Sequence, residues 1–128
     1  MRTFELNKLI KDKVFESMEN LGQTVKYRTL SDQELLTEIK AKLFEEVQEF
    51  NVSTDNAIAE LADLLEVIEA AGSALGQDFD ALRKVQQQRR DKRGGFDKKI
   101  FVERVTLADD DPWVKYYASE PERFKEIL

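Results

Sequence analysis

The stretch KLFEEVQEF, residues 42–50, combines the apolar spacing of a helix with three glutamates. At about 100° per residue, its apolar positions and those of the preceding turns share one arc, formed by Leu36, Ile39, Leu43, Val47 and Phe50. We interpret this arc as the core face of a helix over residues 31–50. Glu46 lies at the edge of the arc, Glu49 lies further round, and Glu45 points nearly away from it. A carboxylate beside a core is costly unless a cation meets it.

A second helix, predicted over residues 56–75, repeats this feature. Its apolar arc contains Ile58, Leu61, Leu64, Leu65, Val67, Ile68 and Ala71. Glu60 falls within that arc and Asp63 falls near its rim, whereas Glu66 and Glu69 face away. Because a short loop joins the two helices, we expect them to pack antiparallel and to bring four carboxylates together.

Four converging carboxylates would repel one another in a partly dehydrated site, so they require compensation. A divalent cation supplies it, and a ligand set made only of oxygen favours Mg²⁺, with Mn²⁺ as an alternative. Such a site suits hydrolysis of a phosphoanhydride. Two other interpretations stay open at this point: solvated helix faces, and ion pairs with Lys40 or Lys42.

Composition excludes several other chemistries. The 128 residues contain no cysteine and no histidine, which removes disulfides, thiolate catalysis, zinc fingers and histidine bases. The net charge of −6 argues against a nucleic-acid polymer as partner. No apolar run is long enough for a membrane span, and residues 1–14 do not resemble a secretory signal. We therefore expect a soluble, cytoplasmic protein without a membrane partner.

The remaining segments predict an all-α, antiparallel helix bundle with one small β element. Short apolar periods predict a first helix over residues 11–22 and another over 79–93, which Asp78 caps and Gly94 and Gly95 end. Ser31 with Glu34 forms a predicted capping box, and Thr54 and Asp55 are predicted caps of the helix over 56–75. Alternation over residues 24–30 and 98–105 suggests a two-stranded ribbon. The tail, broken by two prolines, is expected to hold a helical turn or two.

The carboxylate pattern resembles a known signature. Glu46-x-x-Glu49 followed by Glu60-x-x-Asp63 is similar to the metal-binding pattern of the all-α nucleoside triphosphate pyrophosphohydrolases, the MazG-like superfamily that includes phosphoribosyl-ATP pyrophosphatase. NKLIKDKV (residues 7–14) and KRGGFDKKIFVERV (residues 92–105) resemble segments of its house-cleaning subgroup. Lys11 departs from the subgroup, which tends to have arginine there. The similarity spans residues 7 to about 105.

This resemblance implies Mg²⁺-dependent hydrolysis of a noncanonical or surplus nucleoside triphosphate to a monophosphate and pyrophosphate. It assigns the catalytic and metal-ligand roles to Glu46, Glu49, Glu60 and Asp63. Nearby cations offer phosphate contacts, and the candidates are Lys11, Lys13, Arg90 and Arg93. The division expected is a pyrophosphohydrolase domain over residues 1–107 and an extension over 108–128.

Two further expectations concern assembly and alternative functions. The broad apolar arc of the helix over residues 56–75 predicts a homodimer or homotetramer, and the resemblance points the same way. One alternative function is hydrolysis of phosphoribosyl-ATP. The other is a non-catalytic helical module that binds a partner through its apolar faces.

Overall fold

The protein is built from five helices and no strands, which confirms the predicted all-α class. A computed structural model describes all 128 residues. The helices are α1 (Asp12–Asn20), α2 (Asp32–Val52), α3 (Ala57–Ala74), α4 (Phe79–Arg93) and α5 (Trp113–Ser119). None of them combines the length and the apolar composition that crossing a membrane requires. The chain divides into an N-terminal unit, Met1–Arg93, and a C-terminal unit, Gly94–Leu128. The functional boundary expected after residue 107 stays a prediction.

Helix α2 begins at the predicted capping box. The Ser31 hydroxyl accepts a hydrogen bond from the Glu34 amide at 3.3 Å, and the Glu34 carboxylate accepts one from the Ser31 amide at 3.2 Å. The guanidinium of Arg28 also donates to the Glu34 carboxylate, at 2.6 Å. These bonds satisfy orphan amide groups of the first turn and fix the residue at which α2 starts.

Helices α2 and α3 form the largest helix–helix contact of the chain. Only residues 53–56 connect them, so α3 must return alongside α2. The buried apolar side chains are one from each helix, Ile39 and Val67. The predicted caps Thr54 and Asp55 are wrong, because α3 starts at Ala57 and its N-cap residue is Asn56, whose side chain makes no capping bond. Packing against α2, rather than a polar cap, therefore sets the start of α3.

Part of the predicted core face is exposed in the N-terminal unit. Val47 is 49% exposed, since the side of α2 that α3 covers is centred on Ile39 and Glu46 instead. On α3, exposed apolar side chains recur at alternating spacings of three and four residues: Ile58, Leu61, Leu65 and Ile68. We call these four residues the α3 apolar stripe. It lies beside the face that packs on α2.

Helix α4 packs on the end of α3 through a close approach at Gly72. A Cβ atom at this buried glycine would lie 3.4 Å from the Leu82 side chain and 3.3 Å from the Gln77 carbonyl oxygen. As predicted, Asp78 caps α4 by accepting a hydrogen bond from the Ala81 amide at 2.8 Å. The helix ends before Gly94, whose φ of 82° is a left-handed conformation that favours glycine.

The predicted two-stranded ribbon is wrong, because neither residues 24–30 nor residues 98–105 form a strand. In the first segment, an aromatic contact holds the chain against α1 instead. The ring of Tyr27 packs edge-on against that of Phe15, with ring centroids 4.6 Å apart. In the second, the consecutive residues Ile100 and Phe101 are both exposed, so no alternating face is covered. Alternating apolar and polar residues stabilise a pair of strands only when another element packs on the apolar face.

The C-terminal unit is organised by aromatic contacts around the short helix α5. Tyr117 and Phe124 meet edge-on with ring centroids 5.0 Å apart, and Tyr116 lies 5.5 Å from Phe124. Trp113 adds a further edge-on contact with Tyr116 at 5.6 Å. The helical turns expected in the tail are therefore present, and clustered rings hold the segment after α5 against it.

Glu34→Gln tests how the capping box depends on pH. The hydrogen bond from Arg28, followed by the bonds from Ser31, lowers the pKa of Glu34. A lowered folded-state pKa adds stability above the unfolded pKa, and this stability disappears as the pH falls through the folded value. We therefore expect the wild type to be more stable than Glu34→Gln at pH 7, with a difference that shrinks toward acid pH. Urea unfolding from pH 7 to pH 3 measures this, and a difference independent of pH would contradict the cap.

Candidate metal centre

Three glutamates from two helices converge at the α2–α3 contact. Each of Glu46, Glu49 and Glu60 offers a carboxylate oxygen, and these oxygens all lie within 4.8 Å of one another. The first two belong to α2, one turn apart, and the third belongs to the first turn of α3. We call these residues the glutamate triad. Helical spacing and the short connection therefore bring together three of the four predicted ligands.

Glu46 is the most constrained member of the triad. It is only 5% exposed, and its Oε2 atom is buried without a hydrogen-bond partner. The Oε2 atom of Glu60 is in the same condition. Buried carboxylate oxygens normally accept hydrogen bonds, because leaving them unpartnered costs the full desolvation penalty. Glu46 and Glu60 thus each carry a buried carboxylate oxygen that no protein donor pairs, and such an oxygen is available to bind a cation.

The electrostatics of the triad favour a positively charged ligand. Burial raises the pKa of Glu46, and the charge of Glu49 and a hydrogen bond with it raise that pKa further, against an opposing effect of Lys42. Burial also raises the pKa of Glu60, with the charges of Glu49 and Asp63 adding to the effect. Burial and the neighbouring negative charges thus disfavour the ionised form of both carboxylates. A bound cation would favour the ionised form and reduce the repulsion between the carboxylates.

Asp63 is not a member of the triad. Its Oδ1 atom accepts a hydrogen bond from Lys11 Nζ at 3.1 Å, and both side chains are about half exposed. Lys11 precedes α1, so this ion pair ties the N-terminal segment to α3. Asp63, the fourth predicted ligand, is therefore near enough for its charge to act on Glu46 and Glu60, but its carboxylate is already paired with Lys11.

Two further lysines lie beside the triad. Lys42 Nζ is 3.6 Å from Glu46 and 3.4 Å from Glu45, and Lys8 Nζ is 3.0 Å from Glu45. Glu45, which the helical spacing points nearly away from the core arc, is therefore paired with both lysines. Ion pairs of Lys42 were one interpretation that the sequence left open, whereas the path of the segment that carries Lys8 has no sequence signal.

The formal charge of this cluster matches one divalent cation. Three ammonium groups face five carboxylates, which leaves a charge of −2 when all are ionised: Lys8, Lys11 and Lys42 against Glu45, Glu46, Glu49, Glu60 and Asp63. The internal lysines therefore neutralise only part of the site.

The triad fits a hard divalent cation. All of its donors are carboxylate oxygens, which Mg²⁺ and Mn²⁺ accept as ligands. Since the triad oxygens lie within 4.8 Å of one another, all three residues could contribute a ligand to one such ion. The lysine pairs at Glu46 and Asp63 show that an ion-pair interpretation also describes part of the cluster.

The predicted phosphate-binding cations occupy different places. Lys11 lies against Asp63, whereas Lys13 is exposed in the first turn of α1. Arg90 and Arg93 are exposed near the C-terminal end of α4. Only Lys11 among the four is placed beside the carboxylates by a direct contact.

A comparison with protein-family models, curated proteins and solved structures finds no match to this chain. What can be said of the site therefore depends on its own geometry and chemistry.

Metal binding should stabilise the fold through Glu46. A ligand that binds only the folded state at ten times its Kd adds about 1.4 kcal/mol to the free energy of unfolding. We expect Mg²⁺ to raise the melting temperature of the wild type in a concentration-dependent way and to have little effect on Glu46→Gln. Glu69→Gln is the matched control, because it removes the same charge from an exposed position of α3. Differential scanning fluorimetry with Mg²⁺ or EDTA measures the shift, and equal shifts in all three proteins would contradict a site at the triad.

Proposed function

We propose that this protein is a Mg²⁺-dependent nucleoside triphosphate pyrophosphohydrolase of the all-α, MazG-like type. The observation that carries the proposal is the glutamate triad, in which a nearly buried carboxylate with an unpartnered oxygen meets a second carboxylate from the next helix. The reaction is hydrolysis of a noncanonical or surplus nucleoside triphosphate to a monophosphate and pyrophosphate, in the cytoplasm.

A site for phosphoanhydride hydrolysis needs a cation, a water and a proton acceptor. Mg²⁺, when bound, would neutralise phosphate charge and lower the pKa of a coordinated water. Glu46, Glu49 and Glu60 would supply the oxygens that hold it, and we propose that Asp63, one turn further along α3, joins them. These four residues are the proposed catalytic and metal-binding set.

The bond changes follow from this arrangement. A water oxygen attacks one of the two phosphorus atoms that flank the α–β bridging oxygen, and the bond from that phosphorus to the bridge breaks. The proton of the water passes to a carboxylate, and the bridging oxygen stays with the phosphoryl group that is not attacked, so the products are nucleoside monophosphate and pyrophosphate. A carboxylate of the set that does not coordinate the metal would accept this proton.

Lysines supply the charge that faces the phosphate chain. Lys8 contacts the α2 residue Glu45, and Lys11 contacts the α3 residue Asp63. A triphosphate that approaches the metal would meet these ammonium groups. Lys13, Arg90 and Arg93 remain proposed phosphate contacts on the basis of charge and position in the sequence.

Self-association is part of the proposal. The α3 apolar stripe alternates spacings of three and four residues, as expected of a helix that packs against another helix. Its residue Ile58 is 80% exposed, and the N-terminal unit buries only two apolar side chains completely. A homodimer or homotetramer would cover this surface, because exposed contiguous apolar residues favour association.

A non-catalytic binding module is the second candidate, and the same exposed stripe favours it. In that case the triad would be stabilised by lysines alone, as the contacts of Lys42 with Glu45 and Glu46 illustrate. Phosphoribosyl-ATP is the alternative substrate if the chemistry holds but no nucleoside triphosphate is used.

Pyrophosphate release tests the reaction directly. We expect release of pyrophosphate and nucleoside monophosphate in equal amounts from at least one member of a panel of ribo- and deoxyribonucleoside triphosphates, including oxidised and deaminated bases. Activity should require Mg²⁺ and disappear with EDTA.

Loss of a metal ligand should reduce turnover by about a hundredfold or more, so Glu46→Gln and Glu60→Gln should be nearly inactive. Glu69→Gln is the matched control and should keep wild-type activity. If the wild type releases nothing from the panel, the triphosphate substrate is wrong, and phosphoribosyl-ATP is the next compound to assay.

Leu65→Glu tests the assembly. A charge in the middle of the α3 apolar stripe should reduce a dimer or tetramer to a monomer, because an unpaired charge in an apolar interface costs several kcal/mol. Leu65→Met is the matched control, since it keeps an apolar side chain of similar volume. Light scattering after size-exclusion chromatography measures the mass, and a monomeric wild type would overturn the proposed assembly.

A further inference from the structure

The ion pair between Lys11 and Asp63 has a consequence for metal binding. Lys11 Nζ lies 3.1 Å from Asp63 Oδ1, and Asp63 is one turn beyond the triad residue Glu60 on α3. The backbone of Lys11 is fixed, because its carbonyl accepts the hydrogen bond of the Phe15 amide that opens α1. Its side chain therefore reaches across to α3 from a defined position.

The ammonium group of Lys11 interacts with carboxylates that would also attract a metal ion. The charges of Asp63, Glu46 and Glu66 all act on it in addition to the hydrogen bond, so Lys11 is coupled to the buried triad as well as to its direct partner. A divalent cation at the triad would repel this ammonium and compete with it for Asp63. When two cations share one carboxylate, their mutual repulsion offsets part of the attraction that each has for it.

Lys8 provides a contrast within the same segment. Lys8 also lies 3.0 Å from a carboxylate, and the charges of the triad residues Glu49 and Glu46 act on it as well. Its direct partner Glu45, however, is outside both the triad and the proposed ligand set. Competition for a ligand is therefore specific to Lys11, whereas a general repulsion of metal by positive charge applies to both lysines.

We propose that Lys11 is a resident counter-ion that competes with the metal for Asp63, and that metal binding releases its ammonium group to the phosphate chain of the substrate. This inference rests on the proposed metal-dependent function. By reciprocity of linked equilibria, a lysine that the metal displaces must weaken metal binding while it is present. Lys11 thus lowers the affinity for metal and raises the affinity for phosphate once the metal is bound.

The expected effects have opposite signs for the two ligands. Removing an exposed ion pair and one nearby positive charge should tighten metal binding by roughly three- to tenfold. Removing the released ammonium should weaken the binding of pyrophosphate to the metal-loaded protein by a similar factor. A lysine with a purely structural role would change neither in this pattern.

The experiment measures Mn²⁺ binding by electron paramagnetic resonance of the free ion, and pyrophosphate binding by calorimetry at saturating Mn²⁺. Lys11→Gln should bind Mn²⁺ more tightly and pyrophosphate more weakly than the wild type. Lys8→Gln is the matched control for general charge, and its effect on the Kd for Mn²⁺ should be smaller. In Asp63→Asn, the further change Lys11→Gln should have no more effect on Mn²⁺ than Lys8→Gln has, because the contested carboxylate is gone.

The outcomes separate this inference from the function on which it rests. If the wild type binds no Mn²⁺, the proposed metal-dependent function fails. If the wild type binds Mn²⁺ but Lys11→Gln has the same Kd for it as Lys8→Gln, the competition is overturned while the metal site stands. An unchanged affinity of Lys11→Gln for pyrophosphate would overturn the release of its ammonium group to phosphate.

Discussion

The nearly buried carboxylate of Glu46, at the contact of α2 and α3, is the constraint on which the N-terminal unit depends. A charge in this position is expensive, and an apolar side chain of similar volume would pack between two helices at lower cost. Lys42 offsets part of the cost from one turn away on the same helix, at 3.6 Å. It leaves the second oxygen of Glu46 without a partner. The proposed cation would pair with this oxygen and offset the remaining cost.

The rest of the site follows from holding α2 and α3 in one register. The capping box at Ser31 fixes the start of α2, and the four-residue connection fixes how soon α3 returns. Glu46 lies six residues before the end of α2, and Glu60 lies in the first turn of α3, so both are close to that connection. A short connection leaves little freedom for sliding, which is why the glutamate triad meets with oxygens within 4.8 Å.

How much the sequence could predict depends on whether a feature is periodic. The triad was predictable, since helical spacing places Glu46 and Glu60 against the apolar arcs and a short loop brings the arcs together. The caps Ser31 and Asp78 were predictable from local chemistry, whereas Thr54 and Asp55 failed because packing sets the start of α3.

Features that depend on non-periodic segments were beyond sequence patterns. The contact of Lys11 with Asp63 joins residues 52 apart through a segment without regular structure, and nothing in its sequence specifies its path. The ribbon failed for a related reason: alternation predicts a strand only when another element covers one face, and neither segment has such cover. Val47 was placed in the core because the apolar arc of α2 is wider than the surface that α3 covers.

Helix α3 links the metal centre to the proposed assembly. The face that packs on α2 carries Glu60 and Val67, and the centre of the α3 apolar stripe lies roughly 130° further round the same helix. Covering the stripe with a second copy would add apolar burial to the helix that carries Glu60 and Asp63. Assembly would then hold these carboxylates in place before metal binds, which lowers the cost of organising a charged site.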